Sequence, residues 1–418
     1  MIRIKTKKLR IVNGKKFIVS IDIGKNIHYG YIRDLNNNEV KPFPFHNTLK
    51  SFQEFWGKIS YFQKEHGLEE AVIGYESSGP YAEPLCEFLR KKPVKLVQVN
   101  PMHTKRVKEL EGNSPNKTDR KDPRVIADII QLGHALTVIV PEGTAAELRR
   151  LTHTREREIK VQTADKNRLQ KLMYVIFPEF LRILKISLKS AMFLMKHYPA
   201  PEDIVEIGCE SLCKILKKVS RGKIGYQQAE ELFKAARTSV GITHGKKSIL
   251  IEIRHIVAKI ENEEVFIKRL ETMMEEYLSQ IPSSKSIRSI PGIGVITTAG
   301  MIGEVGDFRK FKTISEIMKL AGFNLFEVSS GLHTGQRHIS KRGRPVMRKL
   351  LYYAAVNAVK SYGIMHDNYH LMLDKGKPKT KALIAIARKL LKLIFALSRD
   401  NSMYVEQYNS SRKRIVAA

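Results

Sequence analysis

Short apolar runs separated by turn residues fill the first part of the chain, and they constrain its fold more than any other feature. Three such runs come first, at residues 17–21, at 28–32 and, after an Asn-rich turn at 36–38, up to Phe45. Helical periodicity follows at residues 49–66, 80–90 and 119–132, alternating with short apolar runs at 71–75 and 94–99. Three adjoining strands followed by alternating helices and strands predict an α/β domain.

The remainder of the chain has the pattern of helices. Pro141 marks a boundary, and residues 143–175 form a long, highly charged stretch of helical character. From residue 247 to 278 apolar side chains recur at three-to-four spacing, which predicts a coiled-coil or helical-hairpin partner for the first long helix. Residues 282–400 are mainly helical in pattern. The sequence therefore predicts three domains, at residues 1–142, 143–281 and 282–418.

Positive charge dominates the chain. Its 73 lysines and arginines exceed its 42 acidic residues by 31, and the sequence pI is about 9.9. Residues 281–418 hold 24 of the basic and only 8 of the acidic residues. Such an excess repels itself unless a polyanion neutralises it, and nucleic acid is the usual one. We therefore expect a nucleic-acid partner, with its strongest phosphate contacts in the last third.

Cysteine content and hydropathy favour a reducing compartment and no membrane insertion. Only three cysteines occur, at positions 86, 209 and 213, which is too few for a disulfide framework. The basic first residues lack a signal-peptide core, and the apolar stretch at 382–397 is interrupted by three basic side chains. The expected location is the cytoplasm, with association to the nucleoid in a bacterium.

Four acidic residues stand in a context that suits metal binding. Asp22 and Glu76 each end a predicted strand, and Asp119 and Asp122 open a predicted helix at a spacing that places both on one face. Strand ends of an α/β sheet open into a shared crevice, so the four carboxylates are predicted to converge. Their mutual repulsion calls for a counter-charge such as a pair of Mg²⁺ ions, which can drive phosphodiester cleavage. Taken singly, each residue is equally well explained as a turn or cap residue.

The C-terminal part carries a second set of candidate residues. Residues 290–294 resemble the glycine turn of a helix-hairpin-helix element, whose amide groups can bind phosphate. Further on, Ser329, Ser330 and Gly331 precede a run of basic residues. The pattern fits either a nucleophilic serine beside phosphate-neutralising cations or a serine-rich turn beside a nucleic-acid-binding patch. The basic residues are Lys341, Arg342, Arg344 and Arg348.

These motifs resemble a known family. The segments SIDIGKNIH, YESSGPYAEPL, VQVNP and NKTDRKDPRVIADII are similar to the RuvC-like (RNase H-like) domain of DEDD-type insertion-sequence transposases, the "one-ten" family of bridge-RNA-guided recombinases. Residues 285–357 resemble the family's C-terminal transposase domain. One departure is Pro123, where the family more often has alanine, and proline is tolerated in a first helical turn.

The resemblance implies a function and a set of partners. Asp22, Glu76, Asp119 and Asp122 match the four acidic residues of the motif, and Ser330 matches the nucleophile, with Ser329 as the neighbouring alternative. The family joins the carboxylate site of one protomer to the serine domain of another, which implies dimers or tetramers formed through the helical middle region. Its partners are donor and target DNA and a structured bridge RNA that selects sequence by base pairing.

Three other functions are compatible with parts of the pattern. A metal-dependent nuclease such as a Holliday-junction resolvase would need the four carboxylates but no serine. An actin-like ATPase or kinase would explain the opening IDIGKN, although its further glycine-rich loops are not recognisable and the charge of +31 disfavours it. A non-catalytic nucleic-acid scaffold would need neither site.

Overall fold

The computed structural model describes residues 14–76, 79–111, 122–133, 136–137, 142–327 and 337–406. Contacts within the chain divide it into two compact units, residues 1–139 and 140–418. The first is a mixed α/β unit and the second is mostly helical, as the sequence predicts. The further boundary between residues 281 and 282 stays a prediction.

A six-stranded mixed sheet forms the centre of the first unit. Its strands are β1 (Lys16–Asp22), β2 (Ile27–Arg33), β3 (Glu39–His46), β4 (Glu70–Glu76), β5 (Val94–Val99) and β6 (Leu136–Thr137). Their spatial order is β3-β2-β1-β4-β5-β6, with β4 parallel to both β1 and β5 and the other neighbours antiparallel. The sequence predicts the first five strands but not the two-residue β6.

Helices cover both faces of this sheet. They are α1 (Leu49–Glu65), α2 (Glu83–Arg90), α3 (Pro101–Glu111) and α4 (Asp122–Gln131). Alternate residues of β1 point to opposite faces, so Phe17, Val19 and Ile21 pack with α1. Ile18 packs instead with Val125 and the rest of the apolar face of α4. The sequence pattern predicts no helix at the position of α3.

The second unit begins with two long helices joined by shorter ones. The long helices α5 (Gly143–Ile176) and α11 (Lys246–Ser279) pack along one another. Between them in sequence lie α6 (Phe180–Ile183), α7 (Lys189–His197), α8 (Pro201–Ile207), α9 (Cys209–Ser220) and α10 (Tyr226–Arg237). A shared core holds the group together, including Leu169, Phe177, Phe180, Leu232 and Ile256. Both long helices agree with the sequence prediction.

The rest of this unit is helical apart from one short hairpin. Its helices are α12 (Pro282–Arg288), α13 (Val295–Val305), α14 (Ile314–Ala321), α15 (Pro345–Ala358), α16 (His366–Asp374) and α17 (Lys379–Asp400). Strands β7 (Leu325–Phe326) and β8 (His338–Ile339) pair antiparallel. Between α12 and α13 the predicted glycine turn is present, with Gly292 at a φ of 87°. Within the described ranges, every helix is too short or too polar to cross a membrane.

Candidate active site

The ends of two adjacent parallel strands bring Asp22 and Glu76 together. Strands β1 and β4 pair in a register that sets Ile21 beside Tyr75, so the two acidic residues occupy the next positions along this pair. Neighbouring strands lie about 5 Å apart. Both carboxylates belong to the α4 face because they continue the alternation that places Ile18 and Val72 there. Both residues are half-buried, which leaves them accessible at the sheet edge.

A buried hydrogen bond places the start of α4 at this edge. The hydroxyl of Ser20, two residues before Asp22 on the same face, donates to the carbonyl oxygen of Pro123 at 2.5 Å. Pro123 follows directly on Asp122, the half-buried first residue of α4. The structure therefore brings Asp22, Glu76 and Asp122 to one corner of the sheet. Asp119 lies outside the described residues.

The packing of α4 on the sheet depends on a glycine. A Cβ atom at Gly74 of β4 would lie 2.3 Å from Cδ1 of Ile130 and 2.9 Å from Cγ2 of Val97, closer than carbon atoms can approach. The missing side chain therefore lets α4 lie close to β4, two residues before Glu76. Gly74 thus helps to position α4 and its acidic first residue, Asp122.

Charged and aromatic side chains fasten α4 to β2 and β3. Arg33 pairs with Asp128 of α4 at 2.5 Å, and Arg124 pairs with Glu39 at 2.9 Å while lying over the ring of Tyr31. The Tyr31 hydroxyl donates to Glu39 at 2.5 Å. Burial, reinforced by this hydrogen bond, raises the pKa of Tyr31 to about 12.

The donor chemistry of this corner suits a hard divalent cation. Carboxylate oxygens are the ligands that Mg²⁺ prefers, and Asp22, Glu76 and Asp122 supply them. Within the described ranges, however, no three histidine, cysteine or acidic side chains are close enough to share one ion. The predicted fourth carboxylate, Asp119, falls in the segment 112–121 that is not described. The metal site therefore stays a prediction.

The candidate nucleophile lies in a segment whose two ends are held together. Ser329, Ser330 and Gly331 fall outside the described residues, within 328–336. On either side of that segment, β7 pairs with β8, and the side chains of Glu327 and Arg337 form an ion pair at 2.9 Å. In the sequence the serines fall between β7 and β8, and their role stays a prediction.

Of the four candidate basic residues after β8, two are exposed and two bind other groups within the protein. Lys341 and Arg342 are exposed, and Lys341 adopts a left-handed backbone with a φ of 54°. The guanidinium of Arg348 instead donates to the carbonyl of Ala321 at the end of α14. Arg344 is mostly buried and pairs with Glu304 at 2.9 Å. A nucleic-acid role stays a prediction for all four, and the exposed pair is better placed for it.

Glu304 is the centre of a buried charge cluster that the sequence analysis missed. Its side chain is only 2% exposed and contacts Nε2 of His153 at 2.7 Å in addition to Arg344, with Arg149 at 3.8 Å. Burial alone would raise the pKa of Glu304, but the bond to His153 and the charges of Arg344 and Arg149 outweigh it and lower the pKa. The cluster ties α5, α13 and the start of α15 together. It thereby holds one end of the basic segment that follows β8.

Sequence signals exist for some of the missed residues. Ser20 is a polar residue inside an apolar strand, and Gly74 is a glycine inside another, which typically marks a close approach. Glu304 is an acidic residue within the otherwise apolar helix α13. Its partners lie 40 and 151 residues away along the chain, so the sequence offered no means of pairing them.

Two family models match this chain. A DEDD transposase model of the IS110 type, described as a transposase, matches residues 19–178. A second, described as a transposase of the IS116/IS110/IS902 family, matches residues 284–370. The first spans Asp22, Glu76, Asp119 and Asp122, and the second spans Ser330 and the basic residues after it. Divalent metal is the usual cofactor of the DEDD class.

Curated relatives extend the similarity over nearly the whole chain. An insertion element IS110 protein of 43.6 kDa from Streptomyces coelicolor is 22% identical over 92% of this chain and 95% of its own length. An insertion element IS116 protein from Streptomyces clavuligerus is 26% identical over the same shares. A pilin gene-inverting protein from Moraxella bovis is 31% identical over 28% of this chain and 36% of its own.

Proposed function

This chain belongs to the IS110 family of transposases, and on that premise we propose that it is an RNA-guided DNA recombinase of an insertion sequence, with a divalent-metal carboxylate site and a serine nucleophile. Transposase activity, with DNA as substrate, follows from the family. The observation that best supports the proposed metal site is the convergence of Asp22, Glu76 and the start of α4 at one sheet edge.

The four carboxylates are proposed to hold Mg²⁺. Asp22 and Glu76 come from strand ends, Asp122 begins α4, and Asp119 precedes it by three residues. When bound, the metal would neutralise the charge that builds up on the reacting phosphate and activate the attacking oxygen. The arrangement of a mixed sheet with carboxylates at adjacent strand ends and at a helix start supports a RuvC-like fold for this unit.

Ser330 is proposed to carry the covalent step. Its hydroxyl oxygen attacks the phosphorus of a DNA phosphodiester, a serine–phosphate bond forms, and the bond to the leaving deoxyribose oxygen breaks. The serine's proton is lost and the leaving oxygen gains one, so no outside reactant is required. Attack by a deoxyribose hydroxyl of another strand then reverses the step and rejoins the DNA. Lys341 and Arg342, exposed after β8, are proposed to neutralise phosphate charge there.

The remaining proposals concern partners. The packed pair of α5 and α11 is suited to a coiled coil through which two or four copies assemble. A structured guide RNA is proposed to bind the basic surfaces of the RuvC-like and helical regions and to select DNA sites by base pairing. The net charge of +31 supports binding to nucleic acid.

The test is a comparison of Ser330→Ala with Ser329→Ala in strand cleavage and recombination. We expect Ser330→Ala to lower cleavage by about 10³-fold or more, because the bond-forming atom is removed. Ser329→Ala, the matched control, should keep most activity and still form the protein–DNA adduct seen on denaturing gels. If Ser329→Ala abolished the adduct and Ser330→Ala did not, the nucleophile would be Ser329.

The second candidate function is a metal-dependent nuclease of the resolvase type. The carboxylate site favours it, because such a site can cleave DNA without a serine nucleophile. In that case both serine variants would cleave DNA at the normal rate and no covalent adduct would form. The gene inversion named for the Moraxella relative is a rejoining reaction, which supports the recombinase over the nuclease.

A further inference from the structure

The end of the second unit contains a run of basic residues uninterrupted by acidic ones. Between Lys375 and Arg399 the chain has eight lysines and arginines and no aspartate or glutamate. This segment comprises the turn after α16 and nearly all of α17, and it lies beyond the residues that the second family model matches. The positive charge is therefore a local feature, separate from the basic segment after β8.

The helix α17 sorts these charges onto one side. Its buried residues, which include Ala382, Ile386 and Leu390, face the neighbouring helices α12, α14 and α15. Lys381, Arg388, Lys392 and Arg399 recur at spacings of seven and four residues and line the opposite side. At 1.5 Å per residue this stripe is about 27 Å long. That length is about three quarters of one turn of a DNA duplex, which rises roughly 34 to 36 Å.

The cations of this segment differ in their partners within the protein, and Arg399 pairs with Asp400 at 3.0 Å. Among the described residues, no carboxylate pairs with Lys375, Lys377, Lys379 or Lys392. The ammonium of Lys389 donates to the amide oxygen of Asn368 at 2.6 Å. Partial burial lowers the pKa of Lys389, and the charges of Lys377 in the turn and Lys392 on the helix lower it further.

An amphipathic basic helix can also lie on a membrane, but α17 is unsuited to that. Membrane binding requires a free apolar face to insert among the lipids. The apolar face of α17 is buried in the unit, with Ile386, Leu390, Leu391 and Ile394 at 0% exposure. The side chains that remain exposed on α17 are mostly lysines and arginines, which attract a polyanion without inserting.

We propose that the turn after α16 and the exposed side of α17, with Lys375, Lys377, Lys379, Lys381, Arg388, Lys389 and Lys392, form a sequence-independent binding surface for the phosphate backbone of duplex DNA. The choice of DNA rests on the proposed function. Helix α17 packs directly on α14 and α15, which precede and follow the segment with the candidate serine in the sequence. DNA held on α17 is therefore bound by the same unit that carries the candidate serine. Lysines suit this role because they contact phosphates as point charges and read no base.

The test uses the full chain and a short labelled DNA duplex of random sequence, without any cleavage step. The variant changes the four exposed lysines 375, 377, 379 and 392 to glutamine. Its matched control changes lysines 214, 217, 218 and 223, four exposed lysines on and after α9, and so removes the same charge. Affinity is measured at several salt concentrations, and circular dichroism checks that both variants keep their helices.

We expect the slope of log affinity against log salt to become shallower by about 2 to 4 in the α17 variant, since each lost phosphate contact removes about 0.9. Near a physiological salt concentration of about 0.15 M this corresponds to a loss of roughly 50- to 2,000-fold, if the affinity at 1 M salt is unchanged. An unchanged slope, or an equal change in the α9 control, would overturn the proposal. So would a loss confined to an RNA duplex of the same sequence. Because nothing is cleaved, the result is independent of whether Ser330 is the nucleophile.

Discussion

The two candidate catalytic regions of this protein are held in place by different means. In the first unit, Asp22, Glu76 and Asp122 are placed by regular secondary structure: strand register, one buried hydrogen bond and close helix packing. In the second, the candidate serine falls between β7 and β8 in the sequence, outside the described residues, and the basic segment after β8 is anchored by a buried ion cluster. The first region depends mainly on backbone geometry and packing, with ion pairs on α4 in addition, whereas the second depends on a buried charge cluster. Substitutions in the two regions should therefore fail in different ways.

The largest expected effect is on catalysis in the first unit. Asp122→Asn keeps the size and shape of the side chain but removes a proposed metal ligand. We expect DNA cleavage to fall by about 10²- to 10³-fold with the unfolding temperature unchanged, because only the charge that serves the reaction is lost. Glu54→Gln, an exposed acid on α1, is the control and should be fully active. Full activity of Asp122→Asn would remove this residue from the site.

The next effect is on stability in the second unit. Glu304→Gln leaves the mostly buried Arg344 without a counter-charge, and we expect a loss of about 3 to 5 kcal/mol in unfolding free energy. The matched control is Glu275→Gln, which breaks an exposed pair with Arg288 and should cost less than about 1 kcal/mol. The unfolding free energies of the two variants are measured by denaturant titration.

The loss of unfolding free energy at acid pH is a second test of the Glu304 cluster. Because its folded pKa lies below the ordinary value of 4.5, Glu304 contributes stability above that pH, and the contribution is lost as pH falls below it. The wild-type protein should therefore lose more stability on acidification than Glu304→Gln does. Parallel acid profiles would contradict the role of this cluster.

A smaller effect is expected from packing in the first unit. Gly74→Ala inserts a methyl group against Ile130 and should destabilise the protein by about 1 to 3 kcal/mol. Gly57→Ala is its counterpart: this glycine lies in α1 with open space around it, and alanine should stabilise the helix by about 0.5 to 1 kcal/mol. Hydrogen exchange of the α4 amides should be faster in the first variant only. Destabilisation of both to the same extent would argue against a packing role for Gly74.

The smallest effect concerns alkaline pH. The folded pKa of Tyr31, about 12, lies above its ordinary value of 10, so its stabilising contribution is complete below pH 10 and is lost as pH rises toward 12. Tyr31→Phe should remove this dependence, whereas Tyr61→Phe, an exposed tyrosine on α1, should not. The measurement is unfolding free energy between pH 9 and 12, and identical curves for the two variants would contradict it.

The contrast between local packing and long-range charge pairing also explains which features could be predicted from the sequence. Strands β1 to β5 and helix α4 were predictable because apolar periodicity and turn residues act locally. Helix α3 was missed because Asn100 and Pro101, directly after the predicted strand at 94–99, start a helix, with the amide of Met102 donating to Oδ1 of Asn100 at 2.9 Å. The pairing of Arg344 with Glu304 was out of reach since it joins residues 40 apart through the tertiary fold.

The most direct test of the central idea is metal-directed cleavage of the protein itself. Fe²⁺ bound in place of Mg²⁺, with ascorbate and peroxide, generates radicals that cut the backbone near the metal. If Asp22, Glu76 and the residues around Asp122 surround one site, cuts should occur at all three places together and disappear together in Asp22→Asn. Cuts at only one of them, or elsewhere in the chain, would contradict the shared site.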